Sequence, residues 1–206
     1  MEIRIHTCGG LVETFFQDNS ALAARILKGT QSTKVFATNH ITIAGEYSLT
    51  TFIASQVNRV DLIAEETPGW KHPEDILDVV ELSEDEYRER SHLNDPARLE
   101  PRRSPKQTGD FTGVFVEVEM AGGAGIFLAA QIKVGLPAER LQRLHTLFSA
   151  AALDFRMSQG GTAILNLKNL VRFTFNPGPD LTPIDAWPAH HLSLRGESRR
   201  LAVTLE

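Results

Sequence analysis

The chain has few of the residues and segments that cross-link, anchor or export proteins. Its 206 residues include one cysteine, Cys8, so neither an internal disulfide framework nor a multi-cysteine zinc site can form. No stretch approaches the roughly 18 uninterrupted apolar residues that a membrane span needs. Residues 1–6 alternate apolar and polar side chains and lack the two regions of a signal peptide. We therefore expect a cytoplasmic protein that does not contact a membrane.

Local catalytic and ligand-binding motifs are also missing. Glycine doublets occur at residues 9–10, 122–123 and 160–161, but none has the spacing of a dinucleotide- or phosphate-binding loop. Neither a nucleophile elbow nor a zinc-binding HExxH helix is present. His190 and His191 are adjacent, so in extended backbone their side chains point to opposite faces and do not readily share an ion. The sequence therefore predicts no catalytic residue, no metal and no cofactor.

Charge is unevenly distributed. The chain has a net charge of −5, and residues 65–100 hold 12 of the 26 acidic and four of the 21 basic residues, a local net charge of −8. Such a segment is either a solvated surface or a patch for a basic protein partner. The one basic cluster lies in a proline-rich loop (residues 98–106) without an aromatic residue, so we expect no nucleic-acid binding.

Turn and capping residues divide the first 65 positions into short elements. Gly9-Gly10 between two β-prone runs predicts a hairpin, since both glycines tolerate positive φ. Residues 18–20 provide N-cap candidates for a helix over residues 21–28, which Gly29 would end. Strands are expected at residues 34–38 and 40–44 and within 47–64.

The remainder of the chain shows a similar order after an acidic stretch. The pattern predicts a strand over residues 75–82, a short helix capped by Ser83, and a flexible loop over residues 94–110. Two strands then flank Gly122-Gly123, and an amphipathic helix begins at Pro137. Further strands are predicted at residues 153–157, 163–167, 170–175 and 201–205.

A spacing of 113 residues connects the two ends of the chain. It separates Gly9-Gly10 from Gly122-Gly123, and Arg59 from Arg172. We interpret this as a duplication. The predicted fold is a single α+β domain (residues 1–206), with a predominantly antiparallel sheet built from two pseudo-repeated ββαββ-like halves. The halves would be residues 1–65 and 111–206, each with one packed helix. Residues 66–110 would form an acidic insertion and flexible loop. Whether the halves share one sheet or form two is left open.

Candidate binding residues lie at equivalent places in the two halves. Each final strand leads into an acidic, proline-containing loop with a tryptophan and a histidine, which points to a cleft lined by Trp70, His72, Trp187 and His190. Arg59 and Arg172 each interrupt an apolar strand. Either they project into solvent, or they meet near the pseudo-dyad and bind an anion or a partner's carboxylates.

Two classes of function remain open. The first is a non-enzymatic interaction or assembly module with a protein partner. The second is a small-molecule-binding protein or an enzyme whose site lies in the cleft between the halves. Strand-rich domains leave free edges, so we also expect a homodimer.

Overall fold

The structure, a computed structural model, describes residues 1–30, 32–65, 76–95, 97–98, 111–178 and 183–188. Two sheets are present in these residues, a nine-stranded one and a two-stranded one. The strands, in chain order, are β1 (Glu2–Thr7), β2 (Val12–Phe16), β3 (His40–Ala44), β4 (Leu49–Ile53), β5 (Val57–Ile63), β6 (Ile76–Leu82), β7 (Phe111–Met120), β8 (Gly125–Lys133), β9 (Ala152–Arg156), β10 (Thr162–Asn166) and β11 (Leu170–Asn176).

Helices occupy the connections between strands. They are α1 (Ser20–Gly29), α2 (Ser32–Val35), α3 (Glu84–Arg90) and α4 (Pro137–Ser149). Their starts follow from side chains that satisfy the free amides of the first turn. Asn19 accepts from the Leu22 amide at 3.0 Å, and Ser83 accepts from the Glu86 amide at 3.2 Å. None of the described helices has the length and apolar character needed to cross a membrane.

The large sheet runs in the order β11-β7-β8-β6-β9-β10-β5-β1-β2. Its strand pairs are antiparallel with one exception, the parallel contact of β6 with β9, which consists of the single pair Val80 and Arg156. Strands β3 and β4 pair only with each other. The expectation of an α+β fold with a mostly antiparallel sheet is therefore confirmed.

The two faces of the large sheet carry separate cores because side chains alternate along each strand. The face that carries Ile5 and Val60, named here the back face, is covered by α1, α2 and the β3–β4 pair through Leu27, Val35 and Phe52. The opposite face, named here the front face, carries a second cluster. Its central members are Val116, Val118, Leu128, Phe155 and Leu165, with Leu147 of α4 packed against them.

Two expected strands differ in the structure. Residues 34–38 were expected to form a strand, but α2 and a turn occupy this region. Val35 and Phe36 are adjacent and both buried, which a helical turn permits and the alternation of a strand facing one core does not. The long stretch from residue 47 to 64 is divided by a 3₁₀ turn, Ala54–Gln56, into β4 and β5.

Other expectations fall wholly or partly outside the described residues. The final strand at residues 201–205 lies outside them, as does most of the loop over residues 94–110. The described part of residues 66–110 includes β6 and α3, and β6 lies inside the sheet between β8 and β9.

Candidate functional site

Four charged or titratable side chains converge on the front face at the middle of the large sheet. Arg59 and Asp61 are two residues apart on β5 and therefore share a face. His6 of β1 lies directly opposite Arg59 in the strand pairing. Glu81 of β6 lies on the same face, three strands away in the other direction. We call these four residues the front-face ion network.

The four side chains form a continuous chain of hydrogen bonds. The Arg59 guanidinium donates to Asp61 at 2.5 Å and to both carboxylate oxygens of Glu81, at 2.5 and 3.3 Å. The other Asp61 oxygen lies 2.9 Å from Nε2 of His6. To reach Glu81, the arginine passes over Phe155, with Cζ at 5.2 Å from the ring centroid. A cation above an aromatic face is attracted to the ring quadrupole, so Phe155 supports the extended arginine.

Burial decides what this network does chemically. The Asp61 side chain is 2% exposed and that of Arg59 13%. Burial alone would raise the pKa of Asp61, but the hydrogen bond from His6 and the charge of Arg59 outweigh it and lower that pKa. For Arg59, desolvation opposes the charged form, but the bonds to Glu81 and Asp61 prevail and raise its pKa. The single cation Arg59 thus holds the carboxylates of Asp61 and Glu81 together, which indicates a structural role.

The front-face ion network lies where two neighbouring strands of the large sheet share the fewest backbone pairs. Strands β6 and β9 share one backbone pair, Val80 with Arg156. Arg59 and Glu81 bridge this seam on the front face. On the back face Arg156 of β9 forms a two-pronged ion pair with Asp78 of β6. The seam between β6 and β9 is therefore held from both faces by arginine–carboxylate pairs.

The structure separates the two arginines that the sequence pairs. Arg59 is buried in the front-face ion network. Arg172 lies on the back face, opposite Glu119 on β7, and its guanidinium contacts Glu117 at 2.8 Å and Glu119 at 3.1 Å. Each arginine is held by carboxylates of its own neighbourhood, so the two do not converge on one anion.

The proposed cleft lies mostly outside the described residues. Trp70, His72 and His190 belong to the segments that are not described. Trp187 is described and 94% exposed. The cleft therefore stays a prediction.

Cys8 lies where two hairpin turns touch. Its thiol is 3.0 Å from Oδ1 of Asn58 and 3.3 Å from Nδ2 of Asn169. Asn58 also donates to the Ala121 carbonyl at 2.6 Å, and Gly122 approaches the Cys8 carbonyl too closely for any side chain. The thiol is thus engaged by two amides that connect the turns, which indicates a structural role. Among the described residues, no three His, Cys, Asp or Glu side chains are grouped so as to hold a metal ion.

Among the described residues, β2 forms one edge of the large sheet, with β11 at the other. Bonds of Leu11 with Thr7 and of Gln17 with Met1 fix the pairing pattern of β2 with β1. Because bonded and non-bonded positions alternate, residues 11, 13, 15 and 17 bond to β1. The backbone amides and carbonyls of Val12, Thr14 and Phe16 therefore point outward.

Two side chains at this edge, those of Val12 and Phe16, are apolar and exposed. Val12 is 48% exposed and Phe16 79%. Edge strands are usually protected by charged residues, proline or a bulge, and β2 (VETFF) has one charged residue, Glu13, but no lysine, proline or bulge. This arrangement can accept a further strand.

Sequence reasoning found part of these surfaces. It identified Arg59 but not its partners His6, Asp61 and Glu81. The placement of Asp61 two residues from Arg59, on the same face of a mostly apolar strand, was the available indication. The apolar residues of β2 are visible in the sequence as the β-prone residues that follow Gly9-Gly10. Their position at an edge of the sheet depends on strand order, which the sequence does not show. No protein-family model, no curated protein and no solved structure matches the chain.

Proposed function

We propose that the chain is a non-enzymatic interaction module that binds a polypeptide strand along the outer edge of β2. The observation that carries this proposal is the row of outward backbone groups at Val12, Thr14 and Phe16, flanked by exposed apolar side chains. An extended segment on such an edge gains affinity from main-chain hydrogen bonds and specificity from alternate side chains.

Duplication of the chain provides independent support. In this proposal, residues 1–65 and 111–206 are related halves, and both have the element order strand, strand, helix, strand, strand, 3₁₀ turn, strand, with α2 as an addition in the first. Strand β4, its 3₁₀ turn and β5 correspond to β10, its turn and β11 at a shift of 113 residues. Three backbone hydrogen bonds, each from an amide to a carbonyl, recur at that shift as well. Thr7 to Leu11 corresponds to Met120 to Ala124, and Gly10 to Thr7 corresponds to Gly123 to Met120. Cys8 to Gln56 corresponds to Ala121 to Asn169.

The duplication indicates what belongs at the β2 edge. The counterpart of β2 in the second half is β8. The outer edge of β8 is covered by β6, in antiparallel pairing. Among the described residues, β2 has no strand in the corresponding place. In this scheme residues 66–110 are the insertion that supplies a strand to the second half, and the first half takes its strand from a partner.

A synthetic peptide with the β6 sequence, Ile76–Leu82, tests the proposal. Titrated into the full chain labelled with ¹⁵N, it should shift the amide signals of residues 12–16 more than those of β11, the opposite edge. Thr14→Pro should abolish the shifts, because proline removes an outward amide without breaking a bond to β1. Thr14→Val keeps that amide and should retain them. Shifts spread without preference for residues 12–16, or none at millimolar peptide with a monomeric chain, would overturn the proposal.

A further inference from the structure

We propose that the strand bound at this edge is β2 of a second copy of the chain, paired antiparallel about a twofold axis at Thr14. This inference rests on the proposed function, since it names the partner of the same edge. Two nine-stranded sheets would then join into one continuous sheet.

The backbone of β2 is suited to pairing with itself. A twofold axis at Thr14 places Thr14 opposite Thr14 of the second copy and Val12 opposite Phe16. These are the three residues of β2 whose amides and carbonyls point outward. Each such pair exchanges two backbone hydrogen bonds in an antiparallel ladder. An axis at Glu13 or Phe15 would instead place inward-bonded residues at the centre of the new ladder.

The side chains follow the same symmetry. Val12 of one copy meets Phe16 of the other on the front face, so two exposed apolar side chains cover each other at both ends of the contact. Aromatic and β-branched residues are favourable partners across strands. On the back face, Glu13 lies opposite Phe15 of the second copy and not opposite its own counterpart, so no two like charges face each other directly.

Self-complementarity is what favours a second copy over an unrelated strand. A twofold contact must use the same patch on both chains. The β2 edge is apolar at both ends and uncharged at its centre, and its five residues place an outward-bonding one at the middle. Every outward group and every exposed apolar side chain of the strand is used at once only in this register.

Light scattering of matched variants tests the pairing. At micromolar concentration the full chain should have twice the chain mass of 22.8 kDa. Phe16→Lys should reduce it to a single chain mass, because it places two lysines at the contact. Val171→Lys is the control, since Val171 is an exposed apolar residue on the opposite edge strand, β11, and this variant should stay dimeric.

A cross-linking measurement tests the register independently of stability. With Cys8→Ser as background, a short thiol-specific cross-linker should join Thr14→Cys into a covalent dimer, because Cα atoms of a hydrogen-bonded antiparallel pair lie about 5.5 Å apart. Thr51→Cys, at another exposed strand threonine, should not cross-link under the same conditions.

The outcomes separate this inference from the proposed function. A monomeric wild-type chain overturns the self-pairing, as does a dimer that survives Phe16→Lys and fails to cross-link through Thr14→Cys. If the β6 peptide still shifts residues 12–16 in those cases, the edge binds a different strand and the interaction function stands. If the peptide has no effect on the monomer, both fail.

Discussion

Arg59 and Arg172 form a natural pair for measuring how burial changes the value of an ion pair. Arg59→Met leaves Asp61, 2% exposed, and Glu81 without their shared cation. Removing one partner of a buried pair costs about 3 kcal/mol or more of unfolding free energy. Arg172→Met removes a pair in which the arginine is 46% exposed, and should cost less than about 1 kcal/mol. Urea denaturation of both variants measures the difference, and equal losses would contradict the structural role of the front-face ion network.

The lowered pKa of Asp61 makes part of the protein's stability dependent on pH. A carboxyl group whose pKa is lower in the folded state stabilises the fold at pH values above its unfolded pKa of about 3.9. That contribution disappears as the pH falls through the folded pKa. The unfolding free energy of wild type should therefore exceed that of Asp61→Asn near neutral pH, and the difference should shrink below about pH 4. His6, Arg59 and Glu81 are present in both proteins, so a difference that is constant with pH would show that the Asp61 charge is not the cause.

At the scale of elements, the hairpin turn between β7 and β8 contains two glycines that differ in the space available for a side chain. Both have positive φ, +87° at Gly122 and +82° at Gly123. A Cβ at Gly123 meets nothing within 4 Å, so Gly123→Ala should cost only the left-handed backbone, about 1–2 kcal/mol. A Cβ at Gly122 would collide with the Cys8 carbonyl oxygen of the other turn. Gly122→Ala should therefore cost clearly more, about 3 kcal/mol or above. Thermal and urea unfolding of the two variants decide this, and equal losses would mean that the two turns can separate freely.

Elements were predictable from sequence where their cause is local. The starts of α1, α3 and α4 follow from Asn19, Ser83 and Pro137, because capping and proline geometry act within one turn. The strand expected at residues 34–38 was wrong because β-prone residues in a short run do not reveal that Val35 and Phe36 must both face one core. A local pattern cannot distinguish these cases.

The candidate site was less predictable because its parts are distant in sequence. Glu81 reaches Arg59 only because β6 is placed beside β9, a contact between strands separated by about a third of the chain. The sequence shows that Arg59 interrupts an apolar strand, but it does not show that Glu81 is the partner of Arg59, because strand order determines that contact. The edge position of β2 among the described strands has the same origin, since strand order decides which strand is last.

At the scale of the whole molecule, the seam between β6 and β9 divides the large sheet into two blocks. One block is β11-β7-β8-β6 and the other is β9-β10-β5-β1-β2. The backbone contributes a single pair to their junction, while Arg59–Glu81 and Arg156–Asp78 bridge it on opposite faces. The junction therefore depends on side chains to an extent that no other pair of neighbouring strands in this sheet does, since the others share ladders of four or more pairs.

A double-mutant cycle on this seam gives the last prediction. Glu81→Gln removes the carboxylate charge of the front-face bridge and Asp78→Asn that of the back-face bridge. If either bridge alone can keep the blocks aligned, each single variant retains the junction and only the double variant loses it. The loss of unfolding free energy in the double variant should then exceed the sum of the single losses by at least about 0.5 kcal/mol.

Urea denaturation gives the three values, with Glu84→Gln on exposed α3 as a control that should combine additively with Asp78→Asn. Additive losses for Asp78 and Glu81 would mean that the backbone pair at Val80 and the surrounding core hold the junction without them, and the two ion pairs would then be independent local contacts.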